Sequence, residues 1–449
     1  MKLVFSILFL SVSFSTFLPL AIARGGLNNS NPPGLEYGPG TGSGRHLFED
    51  DESETRVDVA QGYMTNTELE RAIKAFGQRC SNISRVYSIG ESVNGVPLWV
   101  IEISDKPGEE EPEPAFKYIG NVHGDEPVGR ELLMLLANWI CDNYLKDPLA
   151  TSIVDGVHLH ILPSMNPDGF LLRRRGNANN IDLNRDFPDQ GALVANYPWD
   201  GTQDKRKNYF ACPDDETFRF LASVYSGSHH NMSLSKEFEG GITNGASWYP
   251  IYGGMQDWNY IHAGCFELTL EISDNKWPIA NELLTLWEYN KMSMLNLVAS
   301  LIKTGVHGRI FSSDGGRPLP GFIVIKGINY TVQASRGIAD YHRLLASGGR
   351  YEVTATAPGY KSKTTGIWLD KAGTNVDFVL DPNVNRRGIP LRSACECRWG
   401  TRSVIWDTHL EVYLLLIVIV GFLLFLCKRR TYSRLKQRQL AGPKRPVVV

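Results

Sequence analysis

His123 and Glu126 stand three residues apart in the stretch Phe116–Glu131, which reads as a short apolar strand, a turn rich in Gly and Pro, and a helix over Glu131–Asp142. An imidazole nitrogen and a carboxylate oxygen at the carboxyl end of a strand suit one zinc ion. A hydrolytic zinc needs three protein ligands and an open position for water. A His and a Glu at this spacing also arise by chance, and alone they read equally well as a polar turn. The chemistry therefore demands a third ligand, a general base and a substrate clamp from the rest of the chain. Downstream stand an arginine run, Arg173-Arg174-Arg175, the segment Asp182–Asp189 with Asn184 and Arg185, and an apolar strand, Cys265–Ile272, carrying Glu267 and Glu271.

The elements that must position these groups follow from spacing. Leu69, Ile73 and Phe76 recur at helical intervals over Thr65–Cys80, with Thr65 or Asn66 as the N-cap. Val86–Ile89 and Leu98–Ile103 read as strands joined through Asn94-Gly95, a hairpin turn. Val157–Leu162 is a further strand, Asp214–Tyr225 a helix, and Asn281–Lys303 an amphipathic helix. Strands mixed with helices of this length predict an α/β domain over residues 61–303, with its site at the carboxyl ends of strands. From Gly305 the texture changes. Val306–Phe311, Gly321–Ile325, Tyr330–Ala334, Arg350–Ala355 and Val376–Leu380 are short strands with turn signals between them, a small β-sandwich over 304–382.

The ends set the setting. Residues 1–23 carry Lys2, an apolar run and Ala21-Ile22-Ala23, the pattern of a secretory signal peptide. Residues 24–60 form a polar, Gly-rich extension, and 383–410 a stalk. Val412–Cys427 is an unbroken apolar run of sixteen that predicts a single transmembrane helix at 411–427. Residues 428–449 hold eight Lys or Arg and no acid, which places this tail in the cytoplasm and the bulk of the chain in the lumen or outside the cell. Asn-x-Ser/Thr sites at Asn28, Asn82, Asn231 and Asn329 fit that exposure. Six of the seven cysteines precede the membrane run, and the sequence does not choose their pairing. A net charge of −2 over 449 residues gives no sign of nucleic-acid binding.

His123–Glu131, Pro163–Phe170, Asp182–Pro188, Gly241–Ala246 and Gly253–Tyr260, in that order, resemble the zinc metallocarboxypeptidases. The branch is the regulatory one that includes carboxypeptidases D, E, M and N. The following β-sandwich is similar to that branch's transthyretin-like domain, and the layout with a membrane anchor is similar to plant carboxypeptidase D-like proteins. The resemblance spans about residues 61–382. It implies a mixed sheet flanked by helices, Zn(2+) as cofactor, and removal of C-terminal Lys or Arg from peptides in the secretory or endosomal system. It implies His123 and Glu126 as zinc ligands. Asn184 and Arg185 would grip the substrate's terminal carboxylate, a task suited to a guanidinium fork. Arg175 would steady the oxyanion, Tyr249 would close over the substrate, and Asp200 and Gln256 would select a basic side chain. Glu271 would be the general base, with Glu267 its rival.

One piece of the pattern is missing. The family takes its third zinc ligand from a His in a Leu-His-Gly-Gly segment ahead of the run matched by Ala192–Pro198, whereas here Phe187-Pro188-Asp189-Gln190-Gly191 precedes that run. A stretch of roughly thirty-five residues, the size of a supersecondary unit, is absent near 190/191. The clean junction points to a skipped exon or a gene-model gap. Asp189 is a candidate replacement ligand, and His158, His160, His229 and His230 read as core or surface residues. Loss of a strand would leave its neighbours unpaired. The alternative to an active enzyme is a peptide-binding membrane protein without hydrolysis.

Overall fold

The computed structural model describes residues 62–184, 194–202, 204–370 and 372–383. The first helix, α1 (Asn66–Arg79), starts at a capping box. Thr65 Oγ1 accepts from the Glu68 amide and the Glu68 carboxylate accepts from the Thr65 amide. Its Leu69, Ile73 and Phe76 are buried. The strands β1 (Ser84–Glu91) and β2 (Pro97–Ile103) form the antiparallel hairpin read from Asn94-Gly95, with Gly95 at φ 79°, where a side chain would strain the turn. β2 pairs with β4 (His158–Leu162), and β4 runs parallel to β3 (Ala115–Ile119). The order is β1-β2-β4-β3. Helices α2 (Val128–Asn143) and α3 (Pro148–Val154) connect β3 to β4, and α4 (Pro167–Leu171) follows β4.

A second sheet holds β5 (Val194–Tyr197) between β6 (Ile242–Asn244) and β7 (Thr269–Glu271). Around it lie α5 (Asp215–Ser228), α6 (Gly245–Trp248), α7 (Met255–Ala263) and α8 (Leu283–Lys303). Ile140, Val154, Leu159, Phe218, Leu221, Leu295 and Val298 belong to one continuous core. The expected single mixed sheet is thus two sheets. Among the described residues β3 is paired only with β4 and β7 only with β5. β7 is also shorter than the predicted Cys265–Ile272. An apolar run favours a strand, but ladder bonds make one, and only Thr269–Glu271 find them.

After α8 the chain is all β. One sheet is β10-β9-β12-β13, made of β9 (Phe322–Ile325), β10 (Thr331–Gln333), β12 (Gly349–Thr356) and β13 (Lys363–Leu369). The other centres on β8 (Val306–Ser312), flanked by β11 (Asp340–Arg343), β14 (Thr374–Asn375) and β15 (Phe378–Leu380). Strands β11, β13 and β14 were not legible in the sequence. All four residues of Asp340-Tyr341-His342-Arg343 are buried, so β11 shows no apolar–polar alternation to read.

Among the described residues one disulfide forms. Cys80, just past α1, bonds Cys141 on α2 with Cα atoms 6.2 Å apart, while Cys212 and Cys265 are free thiols. The sequons Asn82, Asn231 and Asn329 are exposed. No helix among the described residues is long and apolar enough to cross a membrane. Asn28, the leader, the apolar run and the basic tail lie outside those residues.

Candidate metal centre and substrate pocket

Past β3 the backbone turns at Asn121, a non-glycine residue at φ 52°. Its side-chain amide Nδ2 donates to the carbonyls of His123 (2.8 Å), Gly124 (3.4 Å) and Glu126 (3.3 Å). Its Oδ1 accepts from Ser164 Oγ at 2.9 Å. Gly124 lies against Gly169, where a Cβ would come within 2.0 Å of backbone. The clamped turn brings His123 Nδ1 to 2.8 Å from Glu126 Oε2.

Three further side chains complete the cluster. Asp182 Oδ1 lies 3.3 Å from His123 Nε2, and its Oδ2 accepts from Arg175 Nε at 2.8 Å. Arg175 Nη1 is 3.4 Å from Glu126 Oε1, and Lys276 Nζ is 3.3 Å from the same oxygen. Burial works against the Glu126 charge, but the His123 bond and the Lys276 and Arg175 charges hold its carboxyl below the usual range. Glu271, at the end of β7, feels the same groups. Burial and the Glu126 charge push it up to about 7, and His123, Arg175 and Lys276 pull it back. Burial also pushes Glu267 up to about 7, but its neighbours are Asn259 and Asp257. Of the two rival carboxylates, Glu271 is the one whose charge couples to His123 and Glu126.

A chain of bonds leads from this cluster to a second, buried polar cluster. Asp182 Oδ1 accepts from the Asn184 amide at 2.9 Å, and Asn184 Oδ1 accepts from the Met255 amide at the start of α7, also at 2.9 Å. The next residue, Gln256, donates through Nε2 to Asp200 Oδ1 at 3.1 Å. Its Oε1 accepts from the amide (2.9 Å) and hydroxyl (3.0 Å) of Thr269 on β7. Asp200 is 1% exposed, accepts from Asn196 Nδ2, and hangs its own amide on Asp257. The structure thus joins Asp200 to Gln256, as the sequence reading placed them together. Tyr249 follows α6, with its ring 4.6 Å from that of Trp248. It packs on a cluster that includes Val194, the register partner of Glu271. Arg185 and Asp189 lie outside the described residues.

His158, His160, His229 and His230 have structural duties. His158 bonds Glu102 at 2.6 Å, and burial pushes its neighbour His160, which contacts Tyr87, down to about 3. His229 Nδ1 accepts two turn amides, and His230 stacks on Tyr289. Sequence reasoning missed Asp182. The signal was its place in Asp182-Leu183-Asn184-Arg185, two residues ahead of the clamp.

The family model for zinc carboxypeptidases (Peptidase_M14) matches residues 69–193 and 189–293. Carboxypeptidase SOL1 of Arabidopsis thaliana is 60% identical over 477 positions, covering 97% of this chain and 97% of that one. The chain belongs to the zinc carboxypeptidase family. Human carboxypeptidase D is 38% identical over 70% of this chain, which spans only 26% of that protein. The human carboxypeptidase N catalytic chain is 34% identical over 75% of this chain and 90% of its own length.

The two pieces of the match to the carboxypeptidase model overlap at 189–193. The Arabidopsis alignment is longer than this chain. It uses about 436 of the 449 residues here over 477 positions, so about 41 positions of the relative face no residue of this chain.

Zinc is the family's metal. The donor atoms of His123 and Glu126 converge to 2.8 Å, and a carboxylate oxygen of Asp182 lies 3.3 Å from the far nitrogen of His123, where metal-binding histidines commonly have a carboxylate. Among the described residues, the group of three His, Cys, Asp or Glu ligand atoms within 4.8 Å of one another is Asp105, Glu111 and Glu113, not this pair.

Proposed function

We propose that this chain is a zinc-dependent carboxypeptidase that removes C-terminal Lys or Arg from peptides in the secretory or endosomal pathway. On this reading it is a single-pass membrane protein with its catalytic domain on the luminal or extracellular side. The observation that carries the catalytic reading is the convergence of His123, Glu126, Asp182, Arg175 and Glu271 on one site. The basic preference is supported by the buried Asp200 carboxylate beside Gln256. The setting is supported by the leader-like first residues, the apolar run 412–427 and the basic tail. The β-rich unit after α8 serves as a transthyretin-like domain.

His123 and Glu126 would be two of the ligands of zinc, which would supply Lewis-acid polarisation of the scissile carbonyl and activation of water. The protein's own groups do the rest. Asn184 and Arg185 hold the substrate's terminal carboxylate, and Asp200 receives the basic side chain. Tyr249 closes over the peptide. Arg175, braced by Asp182 through Nε, brings its positive charge to steady the negative charge that develops on the carbonyl oxygen. Glu271 takes the proton of the attacking water on its carboxylate and passes it to the leaving amine. A carboxyl pushed up to about 7 can do both near neutral pH.

The test is zinc content together with release of C-terminal Arg and Leu from short peptides by the purified chain. About one zinc per chain with chelator-sensitive release of Arg in preference to Leu is the expected result. Bound zinc with no release, or equal release of both residues, overturns the proposal.

A further inference from the structure

The β-rich unit reaches the catalytic unit through an ion pair with no solvent exposure. Arg343, the last residue of β11, sets Nη2 2.6 Å from Oδ1 of Asp214, which caps α5, and both side chains are 0% exposed. The other Asp214 oxygen accepts from the hydroxyl of Tyr260 on α7 at 2.7 Å. Tyr260 is itself 0% exposed. Its ring stacks on Tyr330 of the β-rich unit, with centroids 4.4 Å apart, and the Tyr330 hydroxyl donates to the Tyr260 carbonyl at 2.5 Å. Trp199 is a further neighbour of Tyr260, edge-on at 5.3 Å.

These contacts place one side chain behind both halves of the polar pocket. Trp199 immediately precedes Asp200, and Gln256 lies four residues before Tyr260, one turn back on the same helix. The Asp200–Gln256 bond therefore depends on where Tyr260 sits. Tyr260 is held by Asp214 and Tyr330, and Asp214 in turn by Arg343. A buried ion pair is weak evidence for stability, because apolar groups of the same volume often do as well. Its directed bonds do fix geometry, and here the geometry belongs to the pocket.

We propose that Arg343, Asp214 and Tyr260 are positioning residues through which the β-rich unit sets the substrate side-chain pocket. The link tunes preference for a basic C-terminal residue and leaves the hydrolytic groups untouched. This rests on the reading that Asp200 and Gln256 receive that side chain.

The experiment uses the full chain and the variants Tyr260→Phe, Arg343→Lys, and the charge-neutral pair Arg343→Met with Asp214→Asn. Binding of two peptides that differ only in a C-terminal Arg or Leu is measured with zinc chelated, alongside Tm and hydrogen exchange of α7. Tyr260→Phe and the neutral pair should lower the Arg-over-Leu preference by about fivefold, within the range of couplings carried by packed networks. They should also speed exchange in 255–263, and Arg343→Lys should recover part of both losses. A fall in Tm with the preference and α7 exchange unchanged would show a merely structural contact and overturn the proposal. So would equal weakening of both peptides. If the parent binds neither peptide, the pocket reading itself fails. Hydrogen exchange then decides the coupling alone: faster exchange in the variants supports it, and unchanged exchange overturns it.

Discussion

Replacing Asp182 by asparagine tests whether the cluster around His123 is built to hold a metal. The carboxylate is 9% exposed, accepts from Arg175 Nε and the Asn184 amide, and lies 3.3 Å from His123 Nε2. Asparagine keeps the shape but offers one acceptor oxygen, and its amide would set a donor against a donor at Arg175 or at His123. Either choice loosens the grip on the imidazole nitrogen that turns Nδ1 toward Glu126. Loss of such a supporting carboxylate typically weakens metal binding about 10- to 100-fold, or about 1.4 to 2.8 kcal/mol. Competition for zinc against a chromophoric chelator would read this directly, with Tm measured on the same samples. Zinc affinity within about twofold of the parent at unchanged Tm would refute the argument. A parent that takes no zinc would refute the metal reading of His123 and Glu126 altogether.

Glu271→Gln should abolish peptide hydrolysis, by about a hundredfold or more, whereas Glu267→Gln should stay within about threefold, since Glu267 faces Asn259 and Asp257 instead. Single-turnover assays on both variants check this, and equal losses would show that the two carboxylates share the work. Glu131, fully buried with its Oε1 on the Met64 amide, is pushed up to about 7 by burial. The unfolded chain then loses this proton near the ordinary value of 4.5 while the fold keeps it, so stability falls as pH rises from there to about 7 and is level above. Glu131→Gln keeps the acceptor and should remove up to about 3 kcal/mol of that fall, read as a flatter plot of denaturation midpoint against pH. Replacing Cys80 and Cys141 by alanine opens a loop of 61 residues and should cost about 4 kcal/mol in denaturant unfolding; a loss under about 1 kcal/mol would mean the unfolded chain is already compact there.

How much of this could be read from the sequence depended on whether the signal was local. The capping box at Thr65, the hairpin at Asn94-Gly95 and the helix α8 are set by residues a few positions apart, and they stand within a few residues of where the spacing put them. The donors His123 and Glu126 come from one turn and were legible for the same reason. What stayed hidden depends on distant partners. Asp182 becomes a support only when the fold brings it to His123, 59 positions away in the chain. Strand β11 is buried though polar because Arg343 finds Asp214, and no hydropathy pattern records such a partner. Cys265–Phe266-Glu267-Leu268 has the composition of a strand and lacks the ladder, since pairing needs a neighbour and composition does not supply one.

The clamp made by Asn121 has a consequence for how this protein lives with its metal. In small zinc domains the ion creates the structure, so chelation and unfolding are one event. Here one side-chain amide already holds the carbonyls of His123, Gly124 and Glu126, and Ser164 holds the amide's own oxygen in place. The entropy of ordering the donor turn is spent during folding rather than at metal uptake. With His123 and Glu126 as donors, stripping and reloading the ion should be a reversible exchange on a finished scaffold, governed by the free metal around the protein and not by its folding history.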